Sequence, residues 1–463
     1  MTEQVLTQAA QAVLAAVTIT AFLWTYRRHR FAALTIVWTV WLLLPFVRRL
    51  FDLTFGFTRV DVLSVLPFVL TMLAGLFEFA RQRPSRRALL VLGLAAGSFL
   101  AGVPAGLDQP VPLLFGLVSY GGVLFAAPIG YADVRRQPEL ALGSLGAVLL
   151  ALVPVIALYA LVQYYTLGIL PWDIAWISGA DLNSLLSPEP GRVRAFSTLN
   201  APVPLAAVAA VSVALVLALP KLRPYTAVVG ALGAVALALT FVRSAWVSLA
   251  VGIVVYLAFS RLPRNVLVRV GAGALMAVAV IAVGWQHPTV QALLSRAGSV
   301  AAYSEDTSAQ ARADFINRMI PDALSGERLG GHGLGQSGAA VTIGGGGDYL
   351  LSDHGYLSIL YQSGVVGFVL LAVALGLVAF FAVRQAWRRV PGAALHVSLI
   401  SMFLVIGLFT DVFYGVLGVM MWYVVGRILA TDEAAPSAMA LARENAPAES
   451  EISSDGTSEP VTA

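Results

Sequence analysis

The sequence predicts an all-α fold: a polytopic membrane helical bundle of about 12–13 spanning helices, with a large late loop outside the membrane that contains short helices. Three observations carry this. Apolar residues make up 59% of the 463 and charged residues only 12%, where soluble domains have roughly half and about a quarter. The apolar residues fall in blocks of 16 to 30, enough to cross a hydrocarbon core that takes about 20 helical residues. Short arginine clusters separate the blocks and recur at every second connection. Backbone groups in lipid must be satisfied within each span, and the blocks are too long and too little alternating for barrel strands.

Thirteen candidate spans follow in order: Val5–Trp24, Phe31–Phe46, Val60–Ala80, Ala88–Ala105, Val111–Tyr131, Leu140–Tyr164, Val203–Leu219, Tyr225–Thr240, Ser244–Phe259, Val266–Trp285, Gly355–Val383, Ala393–Thr410 and Val412–Leu429. One set of connections holds 17 basic residues: Arg27, Arg28 and Arg30, then the clusters at 81–87, 135–136, 221–223, 261–269 and 384–389. By the positive-inside rule this set is cytoplasmic. The first span, with no basic residue before it, reads as a retained N-out helix rather than a cleaved signal peptide.

The chain divides accordingly. Residues 1–139 form N-terminal spans, and 140–285 form central spans interrupted by an outer loop at 166–202. Residues 286–353 form a large outer loop, 354–430 the C-terminal spans, and 431–463 a cytoplasmic tail whose acidic, Pro/Ser/Ala-rich composition predicts disorder. The absence of cysteine removes disulfides, thiolate metal sites and any thiol nucleophile. Chemistry is left to Arg, His, Asp, Glu, Ser and Tyr.

The outer segments hold the unusual charges. Arg192 and Arg194 sit just before the seventh span, against the positive-inside preference, so an anionic partner is favoured over simple solvation. Arg243 lies in Thr240-Phe-Val-Arg-Ser-Ala-Trp246, at the tip of a hairpin whose flanks are about 16 residues each, or roughly 24 Å of helix. A guanidinium at that depth either snorkels beside Trp246 or meets an anion. In the second outer segment, Phe315, Ile316, Met319, Ile320, Ala323 and Leu324 recur at helical spacing over Ala311–Leu324. Arg312 shares their face and Arg318 does not; a surface-lying amphipathic helix is the alternative to a buried ion contact.

Gly333, Gly335 and Gly338 satisfy G-x-G-x-x-G, but no strand precedes them, so a dinucleotide site is rejected. These glycines serve close backbone approach and mobility, and His332 reads as an exposed loop residue. Ser352-Asp-His-Gly-Tyr356 opens the eleventh span. There the positive end of the helix dipole favours neutral His354, which can act as a base, while Asp353 either caps the helix or orients the imidazole. No grouping has metal-ligand spacing, and neither H-E-x-x-H nor G-x-S-x-G occurs.

Three pieces resemble the O-antigen ligase and polymerase superfamily of bacterial envelope glycosyltransferases: Arg194-Ala-Phe-Ser-Thr, Thr240-Phe-Val-Arg-Ser-Ala-Trp246, and Gly333-Leu-Gly followed by His354-Gly-Tyr-Leu-Ser-Ile-Leu-Tyr-Gln-Ser-Gly-Val-Val-Gly367. Their order and the late outer loop also match, over roughly Leu140 to Leu429. Two departures are Gly355, where the family often has Asn after its histidine, and Asn200-Ala-Pro-Val in place of Asn-Pro-Asn. The resemblance implies a GT-C-like architecture in the bacterial cytoplasmic (inner) membrane with an extracytoplasmic active site. It implies transfer of a glycan from a polyprenyl pyrophosphate, usually undecaprenyl, to an acceptor hydroxyl in surface polysaccharide assembly, with no cofactor or metal. Carried over, Arg194 and Arg243 bind the pyrophosphate, with Arg192 beside them, and His354 is the general base. Arg312, Asp353 and Tyr356 are further candidates for glycan contact or support of the site. The partners expected are the lipid bilayer, the lipid-linked donor and a glycan, lipid or protein acceptor, and no nucleic acid. The alternatives are a chain polymerase of the same superfamily and a lipid-linked glycan transporter. A transporter would carry internal repeats and polar groups near the bilayer midplane, whereas the unusual residues here gather on one side.

Overall fold

A computed structural model describes residues 2–58, 61–137, 141–166, 170–180, 191, 193–219, 221, 223–260, 268, 271, 273, 286–298, 316–321, 324, 329–337 and 354–444. Among these the regular structure is entirely helical. The helices are α1 (Thr2–Arg28), α2 (Arg30–Phe55), α3 (Val62–Arg81), α4 (Arg86–Gly106), α5 (Pro110–Arg136), α6 (Gly143–Thr166), α7 (Pro171–Ala180), α8 (Pro202–Ala218) and α9 (Pro224–Leu239). They continue with α10 (Arg243–Phe259), α11 (Pro288–Gly298), α12 (Gly355–Trp387), α13 (Ala393–Ile406) and α14 (Gly415–Glu444). Seven are long and apolar enough to cross a membrane: α1 to α6 and α12. The apolar helices α8, α9, α10 and α13 and the Gly415–Thr431 part of α14 are shorter. The chain is a multi-pass all-α membrane protein, as its composition predicts.

Helix ends fall where local chemistry puts them. Pro110, Pro171, Pro202 and Pro224 open α5, α7, α8 and α9 at a position where the missing N–H costs nothing. Asp61 caps α3, accepting from the Ser64 amide at 2.6 Å, and Ser85 caps α4 at 3.2 Å from the Ala88 amide. Three spans depart from a regular helix: α4 is interrupted by a turn at residues 101–102, α5 contains a π-helical turn at Leu117–Gly121, and α12 is broken at Gly364, with φ 66° and ψ −170°. The predicted second span, Phe31–Phe46, runs on to Phe55, because Arg48, Arg49 and Asp52 are paired inside the protein and do not end the helix. The predicted Val266–Trp285 span lies almost wholly outside the described residues. The expected unstructured tail begins instead as helix, since α14 continues through Glu444, in keeping with the alanine content of 434–442.

At the centre stands the first half of α14, where Val416 to Ala430 is buried almost all round. It crosses α5 so closely that a Cβ on Gly130 would lie 2.0 Å from the Tyr423 carbonyl oxygen, and one on Gly426 would lie 1.9 Å from that of Ala127. Small residues let helices approach where lipid supplies no hydrophobic drive. At the arginine-rich end, Asp133 accepts from the Ser144 amide (2.9 Å), the Ser144 hydroxyl (2.6 Å) and the Tyr423 hydroxyl (2.7 Å), tying α5, α6 and α14 together. There too Glu78 accepts from Tyr26 at 2.8 Å and Arg136 at 2.9 Å.

Helices α10 and α13 pack antiparallel with a register that two hydrogen bonds define. The Ser248 hydroxyl donates to the Met402 carbonyl, and the Ser398 hydroxyl donates to the Gly252 carbonyl, both at 2.7 Å. Extended to the helix ends, that register sets Arg243 level with Gly407.

The α5–α14 crossing gives a direct test. Gly130→Leu is expected to destabilise the protein by at least about 1–3 kcal/mol, because the leucine must displace backbone. Gly93→Leu, at a position with open space around it, is the control and leaves stability unchanged. The thermal midpoint in detergent reads both.

Candidate functional site

The site is assembled at the end of the bundle opposite the arginine-rich turns, from three irregular segments. The first is the stretch from Gly191 to Asn200. Its Ala195 amide donates to the Leu239 carbonyl, and Arg194 Nε donates to the Thr240 carbonyl, each at 3.0 Å. Arg194 is thereby brought to the α9–α10 turn, the turn that carries Arg243. The turn itself is tight: Phe241 takes a left-handed φ of 53°, and the Thr240 hydroxyl donates to the Leu237 carbonyl at 2.7 Å. Trp246 donates its indole N–H to the Leu237 carbonyl at 3.2 Å, closing the end of α9.

Arg243 is the first residue of α10. A cation there is opposed by the positive pole of the helix dipole. The same pole and the guanidinium together make a strongly anion-attracting position. Arg243 and Arg194 are both half-buried.

The second segment is the start of α12. His354 takes the cap position just before the helix, with φ −146° and ψ 103°. The Gly355 amide donates to the Gly407 carbonyl (2.9 Å) and to the Thr410 carbonyl (3.1 Å), so α12 begins against the end of α13. A Cβ on Gly355 would lie 2.8 Å from the Thr410 carbonyl oxygen, which is why the smallest residue follows the histidine here. Since Gly407 lies level with Arg243, His354 and the two arginines occupy one level of the bundle. Burial holds the His354 imidazole below its ordinary value of 6.5, favouring the neutral base. Tyr356 donates its hydroxyl to the Leu404 carbonyl at 2.9 Å and packs edge-on to Phe413, so it anchors α12 to α13.

The third segment is the glycine loop, Leu329 to Ser337. From Gly331 to Ser337 it is enclosed, which bears out the close backbone approach expected of its glycines and corrects the expected exposure of His332. Leu334 is fully enclosed, and the His332 ring is half-buried and stacked on Tyr361 at 4.1 Å. A Cβ on Gly333 would lie 2.7 Å from Gly106 Cα, and one on Gly335 would lie 2.0 Å from the Pro112 carbonyl oxygen. With left-handed φ values of 114° and 88°, both positions demand glycine.

Of the residues expected at the site, Arg194, Arg243, His354 and Tyr356 are described, and the structure brings the first three to one end and one level. Arg192, Arg312 and Asp353 lie outside the described residues. In the helix expected at Ala311–Leu324, residues 316–321 and 324 are helical, with Met319 buried and Arg318 exposed as the periodicity predicts, whereas Leu324, expected on the apolar face, is exposed.

Sequence reasoning missed two buried polar sets. Arg49 and Asp173 form an ion pair with no exposed side-chain surface. Arg49 also donates to the Ser197 carbonyl, while Gln163 bridges Asp173 (2.7 Å) and the amides of Phe196 and Ser197 (2.8 Å each). This set holds the Arg194 segment. Its signal was present: Arg48 and Arg49 also stand at the end that the charge rule disfavours. The second set joins Tyr120, Ser358, Gln362 and Asp411 beneath His354. Its signal was also available, because His354, Ser358 and Gln362 recur at intervals of four and form one polar stripe on an apolar span.

Removing one partner of the Arg49–Asp173 pair leaves a buried charge unpaired. Arg49→Ala is therefore expected to cost about 3–5 kcal/mol. The double change Arg49→Met with Asp173→Leu should recover much of that loss in a thermal melt.

Residues 228–372, which include Arg243, the glycine loop and His354, match the family model described as O-antigen ligase. No curated protein matches the chain.

Proposed function

We propose that this multi-pass membrane protein, whose residues 228–372 carry the O-antigen ligase pattern, is a glycosyltransferase acting at the extracytoplasmic face of a bacterial cytoplasmic membrane. It moves a glycan from a polyprenyl pyrophosphate, undecaprenyl in the usual case, to an acceptor hydroxyl. The observation that carries the reading is the bond of Arg194 to the Thr240 carbonyl in the turn just before Arg243, at the end of the bundle where α12 starts after His354.

The chemistry needs little more than these groups. The acceptor oxygen attacks the anomeric carbon, the bond from that carbon to the phosphate oxygen breaks, and the electron pair leaves with the pyrophosphate. Arg243, the N-terminal pole of α10 and Arg194 hold the charge that develops on departure. His354 takes the acceptor proton as the new bond forms. Direct displacement inverts the anomeric centre. A pyrophosphate is already a good leaving group, and two arginines supply the positive charge that a metal would otherwise bring. Arg192 is assigned to the same anion, Arg312 and Asp353 to the glycan or to His354, and Tyr356 to support of the α12 start.

Replacing Arg243 or His354 with Ala is expected to abolish transfer while membrane insertion persists. The assay is purified protein with a polyprenyl-pyrophosphate glycan and a panel of hydroxyl acceptors. Wild-type rates in both variants would overturn the assignment. A single addition identifies a ligase, and a ladder of products identifies a polymerase.

The rate is also expected to rise with pH as His354 loses its proton, and to level off at a midpoint below 6.5, since burial favours the neutral ring. Asp411, whose carboxyl burial pushes up to about 6, titrates in a neighbouring range. Carbethoxylation of His354 as a function of pH, located by mass spectrometry, separates the two. A His354 midpoint above 6.5 would contradict the neutral-base reading.

A further inference from the structure

The break at Gly364 makes the first part of α12 a separate short helix. Its backbone there leaves the helical region, and the loop carbonyl of Leu329 comes close enough that a Cβ on Gly364 would lie 2.1 Å from it. The direction in which this segment presents His354 is therefore not set by the rest of α12. It is set by whatever holds Gly355 to Ser363 from the side.

What holds it is a chain of buried hydrogen bonds. Asp411 accepts from the Tyr120 hydroxyl at 2.6 Å and from the Phe413 amide at 2.9 Å. The Tyr120 oxygen accepts in turn from the Gln362 amide group at 2.9 Å. Gln362 Nε2 also donates to the Ser358 hydroxyl at 2.8 Å, and Gln362 Oε1 accepts from the Gly335 amide at 2.6 Å. Ser337 and Ser358 share a hydroxyl contact of 2.6 Å. Tyr120 itself stands in the π-helical turn of α5, where the added residue redirects side chains and which recurs at functional sites.

Ser358 and Gln362 lie four and eight residues after His354, on the same stripe of the helix. Pinning both therefore fixes the rotation of the segment about its axis, and with it the side to which His354 points. Tyr120, Ser358 and Gln362 are at most 3% exposed and Asp411 is 8% exposed, so water competes little for these bonds.

We propose that Asp411, Tyr120 and Gln362 are positioning residues: they set the azimuth at which the first segment of α12 presents His354 to the acceptor hydroxyl. The proposal rests on the reading of His354 as general base. Asp411 acts through Tyr120 on Gln362, and Gln362 couples the same segment to the glycine loop. Asp411→Asn keeps the size but replaces one acceptor with a donor, so one of the incoming N–H or O–H groups meets another donor. Tyr120→Phe removes only the linking hydroxyl.

The test is steady-state transfer by the full-length Asp411→Asn and Tyr120→Phe proteins in detergent, with thermal midpoints and the carbethoxylation rate of His354 measured alongside. A misaimed base lowers kcat by about tenfold or more while donor KM stays within about twofold. The reactivity of His354 rises severalfold as the segment loosens. Unchanged kcat in both variants overturns the proposal. So does a fall in kcat and thermal midpoint with His354 reactivity at the wild-type rate, which marks a structural role only. If Asp411→Asn does not fold, Tyr120→Phe carries the test alone. Absence of glycan transfer by the wild-type protein would instead refute the reading of the reaction, and His354 reactivity in the variants would still decide the positioning.

Discussion

The constraint on which the whole structure depends is that a polar backbone or side-chain group inside a lipid-embedded bundle must find its partner in the protein. Regular helices meet it by themselves. Irregular segments cannot, and three of the described ones, at one end of the protein, are each supplied with partners from neighbouring parts of the bundle. The Arg194 segment leans on Arg49, Asp173 and Gln163, the glycine loop on Gln362, and the start of α12 on the carbonyls of Gly407 and Thr410. Buried polar groups are thus gathered at these departures from helix, as others are at the arginine-rich end around Glu78 and Asp133.

That concentration also brings function within reach. A buried ion pair such as Arg49–Asp173 adds little net stability over apolar packing, but it makes the fold intolerant of losing one partner. Here it immobilises a segment that delivers Arg194 to the α9–α10 turn. Helix α13 supplies a second link, since its register with α10 and its contact with Gly355 set Arg243 and the His354 segment at the same level. The proposed centre of two cations and a base needs such rigidity, because its groups come from a loop, α10 and α12, with His354 more than a hundred residues along the chain from either arginine. The proposed reaction requires only that the cations hold departing charge and that the base face the acceptor.

The glycine loop shows how a polar-looking segment can be part of the interior. Gly331, Gly333 and Gly335 have left-handed backbones and press against α4, α5 and α12 with no room for a Cβ. The run of glycines suggests close backbone approach as well as mobility. The tertiary environment makes the same glycines a means of close packing, and it places His332 against Tyr361 rather than in solvent.

Hydropathy and arginine placement in the sequence were enough to determine the all-α membrane fold and nearly every helix, because a span must be about 20 apolar residues long whatever its neighbours are. The same charge rule singled out Arg194 and Arg243, and the helix-start argument singled out His354. What the sequence left undecided was which of these residues meet. That depended on the α10–α13 register, on the break at Gly364 and on the buried partners Arg49, Asp173, Tyr120, Gln362 and Asp411. Burial and pairing of a polar side chain are properties of contacts between distant spans, and hydropathy along one span carries no record of them. Only the tertiary structure could therefore decide that these five lie in the interior, joined to the segments that hold the site.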